Sequence, residues 1–338
     1  GRARPHHGGD PRRGRGFVKT PAFWREDGLV PRLLAPAGTL YAAAGTVRWW
    51  LSPAPEAPLP VICVGNATVG GTGKTPLALD LIDRLLRRGR RVHALCRGHG
   101  GRLVGPVRVD PARHDAAAVG DEALLLAERA PTWAGRDRLA AARAAAAEGA
   151  ELAVLDDGLQ YPRLAKSVSL LVVDAAVGIG NGRIVPAGPL REPAVRARAR
   201  ADACVLVGTG DLPPDLVGPP TFRAWLVADE HARSLAGRRV LAFAGIGRPD
   251  KFFATARGLG VELAETRSFA DHHRYTPAEL DHLAARADAL GAGLLTTAKD
   301  AARLPAATRG DVAVLAVRVA WSDDEAFDRW LDDRLGAT

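Results

Sequence analysis

Val61-Ile62-Cys63-Val64-Gly65-Asn66-Ala67-Thr68-Val69-Gly70-Gly71-Thr72-Gly73-Lys74-Thr75-Pro76 runs from an apolar strand through a glycine-rich turn into the pattern of a helix, Leu77 to Leu86. That is the order a phosphate-binding loop requires. Glycines let backbone N–H groups approach phosphate oxygens, and the helix that follows offers its unpaired N–H groups and positive dipole end to the same anion. Thr68, Val69, Gly70, Gly71, Thr72, Gly73, Lys74 and Thr75 are therefore the candidate nucleotide-binding residues. Lys74 is expected on the β- and γ-phosphates, and the Thr75 hydroxyl on Mg²⁺. Pro76 suits a first helical turn, where a missing N–H costs little. Thr68 stands where the motif has its first glycine.

Working outward, strand and helix signals alternate. Apolar runs at Val61–Val64, Val92–Cys96, Leu152–Leu155, Leu170–Val173 and Ala203–Val207 are separated by helical stretches such as Leu77–Arg88 and Arg138–Glu148. Such alternation predicts an α/β fold with a mostly parallel sheet flanked by helices, and ligands at the carboxyl ends of its strands. A second, smaller α/β unit is expected from near Arg238, with strands at Val240–Ala244, Leu294–Thr297 and Val312–Val319 and an acidic terminal helix after Trp321. The division read from this pattern is a basic, disordered tail over 1–20, an amphipathic membrane-interface segment over 21–52, a P-loop core over 58–236 and a smaller C-terminal domain over 237–338.

The N-terminal segment carries Trp24, Leu33, Leu40, Tyr41, Val47, Trp49 and Trp50 among Arg25, Arg32 and Arg48. Pro31 and Pro36 interrupt its first part, so a continuous spanning helix of about 20 apolar residues is not expected. Two readings stay open: an interfacial helix at a membrane surface, attracted to anionic lipid, or a helix packed on its own domain. No signal-peptide pattern is evident, and the chain is expected on the cytoplasmic side.

Composition narrows the function classes. A chain of 338 residues, 47% hydrophobic and 25% charged, can bury a sizeable core. Its formal charge of +8 is concentrated in residues 1–25, and the remainder is nearly balanced. No basic stripe with interleaved aromatics follows, so no nucleic-acid partner is expected, and a monomer is. Three widely spaced cysteines, Cys63, Cys96 and Cys204, suit core packing in a reducing compartment. Arginine greatly outnumbers lysine, which makes Lys74 and Lys299, both in motif-like settings, worth noting.

Leu152-Ala153-Val154-Leu155-Asp156-Asp157 ends an apolar strand in two carboxylates, the form of a Walker-B element. Adjacent strand residues point to opposite faces, so Asp156 is expected at the metal while Asp157 orients its neighbours. Gly120-Asp121-Glu122 opens a helical run, where acids commonly serve only the helix dipole. Asp271-His272-His273 reads either as an oriented acid/base group or as solvated loop residues; zinc is disfavoured, since further ligands at the right spacing are missing.

Together these pieces resemble one family, the tetraacyldisaccharide 4′-kinases of lipid A biosynthesis. The resemblance rests on Val64-Gly65-Asn66, Gly70 to Pro76, Arg97-Gly98-His99-Gly100-Gly101, Gly120-Asp121-Glu122, Asp156-Asp157-Gly158-Leu159-Gln160, Gly180-Asn181-Gly182, Pro186 to Glu192, Ala244 to Gly247, Asp271-His272 and Thr297-Ala298-Lys299-Asp300. It implies transfer of the γ-phosphate of ATP, with Mg²⁺, to the 4′-hydroxyl of a tetraacyldisaccharide 1-phosphate, forming lipid IVA at the cytoplasmic face of the bacterial inner membrane. It further implies Asp121 as the carboxylate accepting the hydroxyl proton, His272 as its partner, Lys74 stabilising the transferring phosphate, Asp157 as a further catalytic residue, and Thr75, Asp156 and Glu122 around the metal. Arg97, Asn181 and Arg191 are the implied substrate-binding residues. Tyr161 departs from the family, which usually has histidine after the glutamine. Other readings are a P-loop enzyme for a soluble metabolite and a non-catalytic nucleotide switch.

Overall fold

The structure, a computed structural model, describes residues 21–336; the expected tail over 1–20 lies outside the described residues. Thirteen strands are present among them: β1 (Val61–Gly65), β2 (Val92–Cys96), β3 (Val107–Arg108), β4 (Thr132–Ala134), β5 (Leu152–Asp156), β6 (Val168–Asp174), β7 (Ala203–Val207), β8 (Thr221–Ala228), β9 (Arg239–Ala244), β10 (Glu262–Ser268), β11 (Gly293–Thr297), β12 (Val312–Leu315) and β13 (Val317–Trp321). Helices are α1 (Leu29–Trp50), α2 (Lys74–Arg87), α3 (Ala116–Val119), α4 (Asp121–Ala127), α5 (Arg138–Ala147), α6 (Ala194–Ala199), α7 (Pro249–Gly258), α8 (Pro277–Ala289), α9 (Ala298–Ala301), α10 (Ala306–Arg309) and α11 (Asp324–Gly336).

The large sheet has the order β13-β8-β7-β6-β1-β5-β2-β4-β3. Only its edge strands β13 and β3 pair antiparallel. Its inner strands are continuous apolar runs because both faces are covered. Ile62 and Val64 of β1 pack towards Leu77, Leu81 and Leu85 of α2, whereas Val61 and Cys63 pack towards Ala141, Ala142 and Ala145 of α5. The small sheet, β10-β9-β11-β12, is parallel throughout. Gly247, in the turn after β9, comes so close to the phosphate loop that a Cβ there would lie 4.0 Å from the Gly71 N. The carboxyl edges of the two sheets thus meet.

The expected strand Val312–Val319 is two strands in two sheets. The chain breaks at Ala316: β12 completes the small sheet, and β13 crosses back to the large one. The segment 317–336 therefore belongs with the large sheet and not with the expected unit over 237–338. Its packing gives the reason. Trp321 stacks on Phe327 of α11 with ring centroids 3.9 Å apart. Arg84 of α2 pairs with Asp80 at 2.7 Å, with Asp328 at 2.8 Å and with Asp324. The two crossings between sheets are themselves tied, Asp229 N–H donating to the Ala316 carbonyl at 3.1 Å.

α1 is one unbroken helix of 22 residues with Pro36 inside it, contrary to the expected interruption. Pro31 falls in its first turn, where no N–H is missed. Ala35, Ala37 and Ala42 to Ala44 favour helix around the one bond that Pro36 removes. Only Pro31 and Gly38 are buried in α1, and its charged residues are just Arg32 and Arg48, so it is apolar nearly all round and not divided into two faces. Among the described residues no helix is long and apolar enough to cross a membrane.

Candidate active site

The phosphate loop owes its shape to two local constraints. Gly73 caps α2 in the left-handed region, φ 93°, where a side chain would be strained. Thr68, in the place of the motif's first glycine, is buried and bridges to Leu190. Extended backbone is all that pairing needs, so no glycine is required. The same pairing carries Val69 N–H to the Pro189 carbonyl and Arg191 N–H to the Ala67 carbonyl, each at 2.8 Å. Arg191 is thereby fixed beside the loop. Val69, Gly70 and Gly71 form the exposed crown, while Lys74 and Thr75 are buried at the helix start.

β5 ends at Asp156, and Asp157 turns off it at φ 55°. The two carboxylates are therefore separated by this turn and not by strand alternation as expected. Asp157 accepts from Arg191 Nη1 with both oxygens at 3.1 Å and lies 3.7 Å from Lys74 Nζ. Burial opposes its charge, but Lys74 and Arg191 outweigh that and hold the carboxyl below its usual range. Burial pulls Lys74 down, with Asp157 opposing. Asp156 is different. Both of its carboxylate oxygens are buried without any hydrogen-bond partner, and burial together with the neighbouring Glu122 and Asp157 charges pushes its carboxyl upward.

Asp121 is the first residue of α4, a position made by Gly120. That glycine has φ 91°, and a Cβ on it would meet the His99 carbonyl at 2.5 Å. Asp121 Oδ1 accepts the Glu122 N–H at 2.9 Å; Oδ2 lies 3.1 Å from His272 Nδ1 and accepts from Arg303 Nε at 2.8 Å. Burial works against its charge, but the His272 hydrogen bond and the Arg303 charge outweigh it and hold the carboxyl well below the usual carboxylate range. The same hydrogen bond raises His272. Asp157 and His272 are the only non-glycine residues with positive φ among the described residues. Backbone strain of roughly 1–3 kcal/mol at each persists where surrounding contacts over-determine it.

Glu122, expected at a metal, is held by Lys299 Nζ at 2.7 Å. Burial alone would raise its carboxyl, and the Lys299 charge lowers it. Arg97 follows β2 and is exposed. Asn181 has its amide committed elsewhere: Nδ2 donates to the Phe23 and Ala187 carbonyls at 3.1 and 3.0 Å, and Oδ1 accepts from Arg183 N–H at 3.0 Å. It ties the segment before α1 to the 181–188 loop.

Two arginines escaped the sequence reading. Arg303 joins Asp121 to Asp300. Arg138, first in α5, lies over the Tyr161 ring at 4.5 Å, and its buried Nε has no partner. Burial and then the Arg97 charge pull its pKa down, which marks a concentration of positive charge near the end of β2. In so arginine-rich a chain neither position stands out. The scarcity of lysine was the usable signal, and it pointed to Lys299.

A buried Asp156 with both oxygens free suits a hard cation. Among the described residues no group of three or more His, Cys, Asp or Glu side chains forms a metal cage. Mg²⁺ needs none, since it usually takes one or two carboxylates together with substrate phosphates and waters. The cleft therefore combines a phosphate loop, a free carboxylate beside it, and a second carboxylate held by histidine and arginine.

Comparison with known proteins gives the family. The family model described as tetraacyldisaccharide-1-P 4′-kinase matches residues 30–336. The tetraacyldisaccharide 4′-kinases of Rhodospirillum centenum and Gluconacetobacter diazotrophicus are 53% and 52% identical over 331 and 324 residues, 93% of this chain in both cases and 96% and 98% of theirs. A crystal structure of LpxK from Aquifex aeolicus, an "apo" form in complex with ATP, matches with a TM-score of 0.74 at 28% identity over 90% of this chain and 99% of that one. The fold is that of a P-loop NTPase, and the chain belongs to the tetraacyldisaccharide-1-P 4′-kinase family.

Proposed function

We propose that this chain transfers the γ-phosphoryl group of ATP to the 4′-hydroxyl of a tetraacyldisaccharide 1-phosphate, with Asp121 receiving the hydroxyl proton. The observation that carries the reading is the buried Asp121 carboxylate, fixed by His272 and Arg303 at the cleft that the phosphate loop borders. Loop amides and Lys74 hold the β- and γ-phosphates. Asp157, in contact with both Lys74 and Arg191, holds these two cations beside the loop that takes the phosphates.

Thr75 and Asp156 would hold Mg²⁺, which when bound neutralises charge on the transferring phosphate; Glu122 bears on it only if Lys299 gives way. Phosphoryl transfer passes through a loose transition state in which positioning and charge neutralisation dominate. A carboxylate as acidic as Asp121 is a poor base towards a free hydroxyl. It suits this reaction because the nucleophile need only be oriented until bonding to phosphorus makes its proton acidic. Arg97 and Arg138 supply positive charge for the anionic acceptor.

α1 is the membrane contact in this reading. Leu29, Leu33, Leu40, Val47 and Trp50 are exposed along it, Trp50 at 89%, whereas Trp49 lies beneath Arg200 at 4.2 Å. An apolar helix with Trp, Tyr and Arg suits the headgroup region. The enzyme would then sit as a peripheral monomer on the cytoplasmic face of the inner membrane, where its lipid substrate is.

The test is transfer of labelled γ-phosphate to tetraacyldisaccharide 1-phosphate in mixed micelles, with wild type beside Asp121→Ala. Labelled lipid from wild type and a loss of 10²-fold or more, on the order usual for acid–base groups, is the expected result. Equal turnover by the variant removes Asp121 from the mechanism, and no lipid product from wild type removes the reaction.

A further inference from the structure

We propose that Arg303 is a positioning residue that turns Asp121 so that its Oδ1 faces the acceptor hydroxyl; this rests on the role of Asp121 given above.

The Arg303 side chain is only 3% exposed. Nε donates to Asp121 Oδ2 at 2.8 Å, and Nη2 lies at the same 2.8 Å from that oxygen. Nη1 donates to the Gly245 carbonyl at 2.7 Å and to Asp300 Oδ1 at 2.9 Å. One planar group thus grips three segments: the start of α4, the turn after β9, and α9.

Asp300, the other carboxylate it holds, is a rigid post. It is wholly buried. Its Oδ1 also accepts the Gly245 N–H at 2.9 Å and the Tyr275 hydroxyl at 2.7 Å, and its Oδ2 accepts the Thr297 hydroxyl at 2.6 Å. Arg303 therefore cannot swing without breaking a buried network, and Asp121 inherits that fixity.

Here the loading is one-sided. Arg303 Nε and His272 Nδ1 both lie on Oδ2, while Oδ1 receives only the adjacent Glu122 N–H. A carboxylate oxygen has two lone-pair directions. One on Oδ1 is left for the substrate hydroxyl. The rigid guanidinium, tied also to Gly245 and Asp300, fixes where Oδ2 sits as a lysine, a point charge on a flexible stem, would not.

A carboxylate turned away from its hydroxyl loses rate without losing substrate, since small misplacements from near-attack geometry cost up to about 10²-fold. Arg303→Ala is therefore expected to lower kcat about 10- to 100-fold while KM for ATP and for the lipid stay within about twofold. Arg303→Lys should recover only part of that rate, and added guanidinium ion should partly rescue Arg303→Ala but not Asp121→Asn. The decisive step is the double variant. In an Asp121→Asn background, Arg303→Ala should cost nothing further, because the group it positions is gone. Thermal melting of each protein separates unfolding from lost positioning. An equal loss in both backgrounds, a loss confined to KM, or full activity of Arg303→Ala overturns the proposal. Full activity of Asp121→Asn alone overturns instead the reading on which it rests.

Discussion

The two halves of the site are built in opposite ways. Lys74, Asp157 and Arg191 all come from elements of the large sheet and hold one another through contacts within it. Asp121 and Glu122 also stand on the large unit, but His272, Lys299 and Arg303, which hold them, come from elements of the small sheet. The nucleotide half is preformed; the acceptor half is assembled only where the two sheets meet. The contacts around Lys74 therefore do not depend on the small sheet, whereas those around Asp121 do.

The largest expected effect lies in the preformed half. Lys74→Ala should lower turnover by about 10³-fold, the upper scale for removing one charge-stabilising donor, and it should weaken nucleotide binding as well. Steady-state kinetics with a nucleotide titration would check both. Asp121→Asn tests the other half and should lower turnover about 10²-fold with ATP affinity unchanged. The comparison fails if Asp121→Asn weakens ATP as much as Lys74→Ala does, since the halves would then not be separable.

The same division governs what could be read from sequence. The strand, loop and helix from Val61 to Leu86 are local, and each residue type there has a local reason. Asp156 was legible for the same cause, as a carboxylate at the end of an apolar strand. The return of 317–336 to the large sheet was not, because an apolar run such as Val312–Val319 does not say which edge each half will pair with. Nor does spacing reveal that Arg303 would meet Asp121, 182 residues away. Asp121 and His272 were named through resemblance to a family, and no local pattern told that they would lie in contact, 151 residues apart. For α1 the prolines misled: propensity weighs Pro36 against a helix that its alanines sustain.

A smaller effect is expected where the preformed half depends on packing. A Cβ at Gly65 would stand 2.4 Å from the Leu159 Cβ and 3.0 Å from its N. Gly65→Ala must therefore push β1 away from the segment after Asp157, with an overpacking cost of about 1–3 kcal/mol. Chemical denaturation should find that loss, and nucleotide binding should suffer more than it does in Asp121→Asn. An unchanged midpoint would mean that Leu159 yields freely and that the loop is less rigidly built than argued here.

The smallest effect concerns pH and separates the halves by their chemistry. His272 is raised by its hydrogen bond to Asp121, so its contribution to docking is fully present below its ordinary value of 6.5 and is lost as pH rises through the higher folded value. Asp121 is lowered, so its part is present above 3.8 and is lost only as pH falls through its much lower folded value. The pair is thus complete in mildly acidic solution and weakens towards alkaline pH. Since the His272 side chain is 38% exposed, solvent screening limits its worth to under about 1 kcal/mol. The melting difference between wild type and His272→Gln should accordingly be measurable near pH 6 and vanish by about pH 9. The contact of Arg191 with Asp157 involves no histidine, so the difference caused by Arg191→Gln should be flat. If both differences faded together, the alkaline loss would lie in the large sheet and the assembled half would have no pH signature of its own.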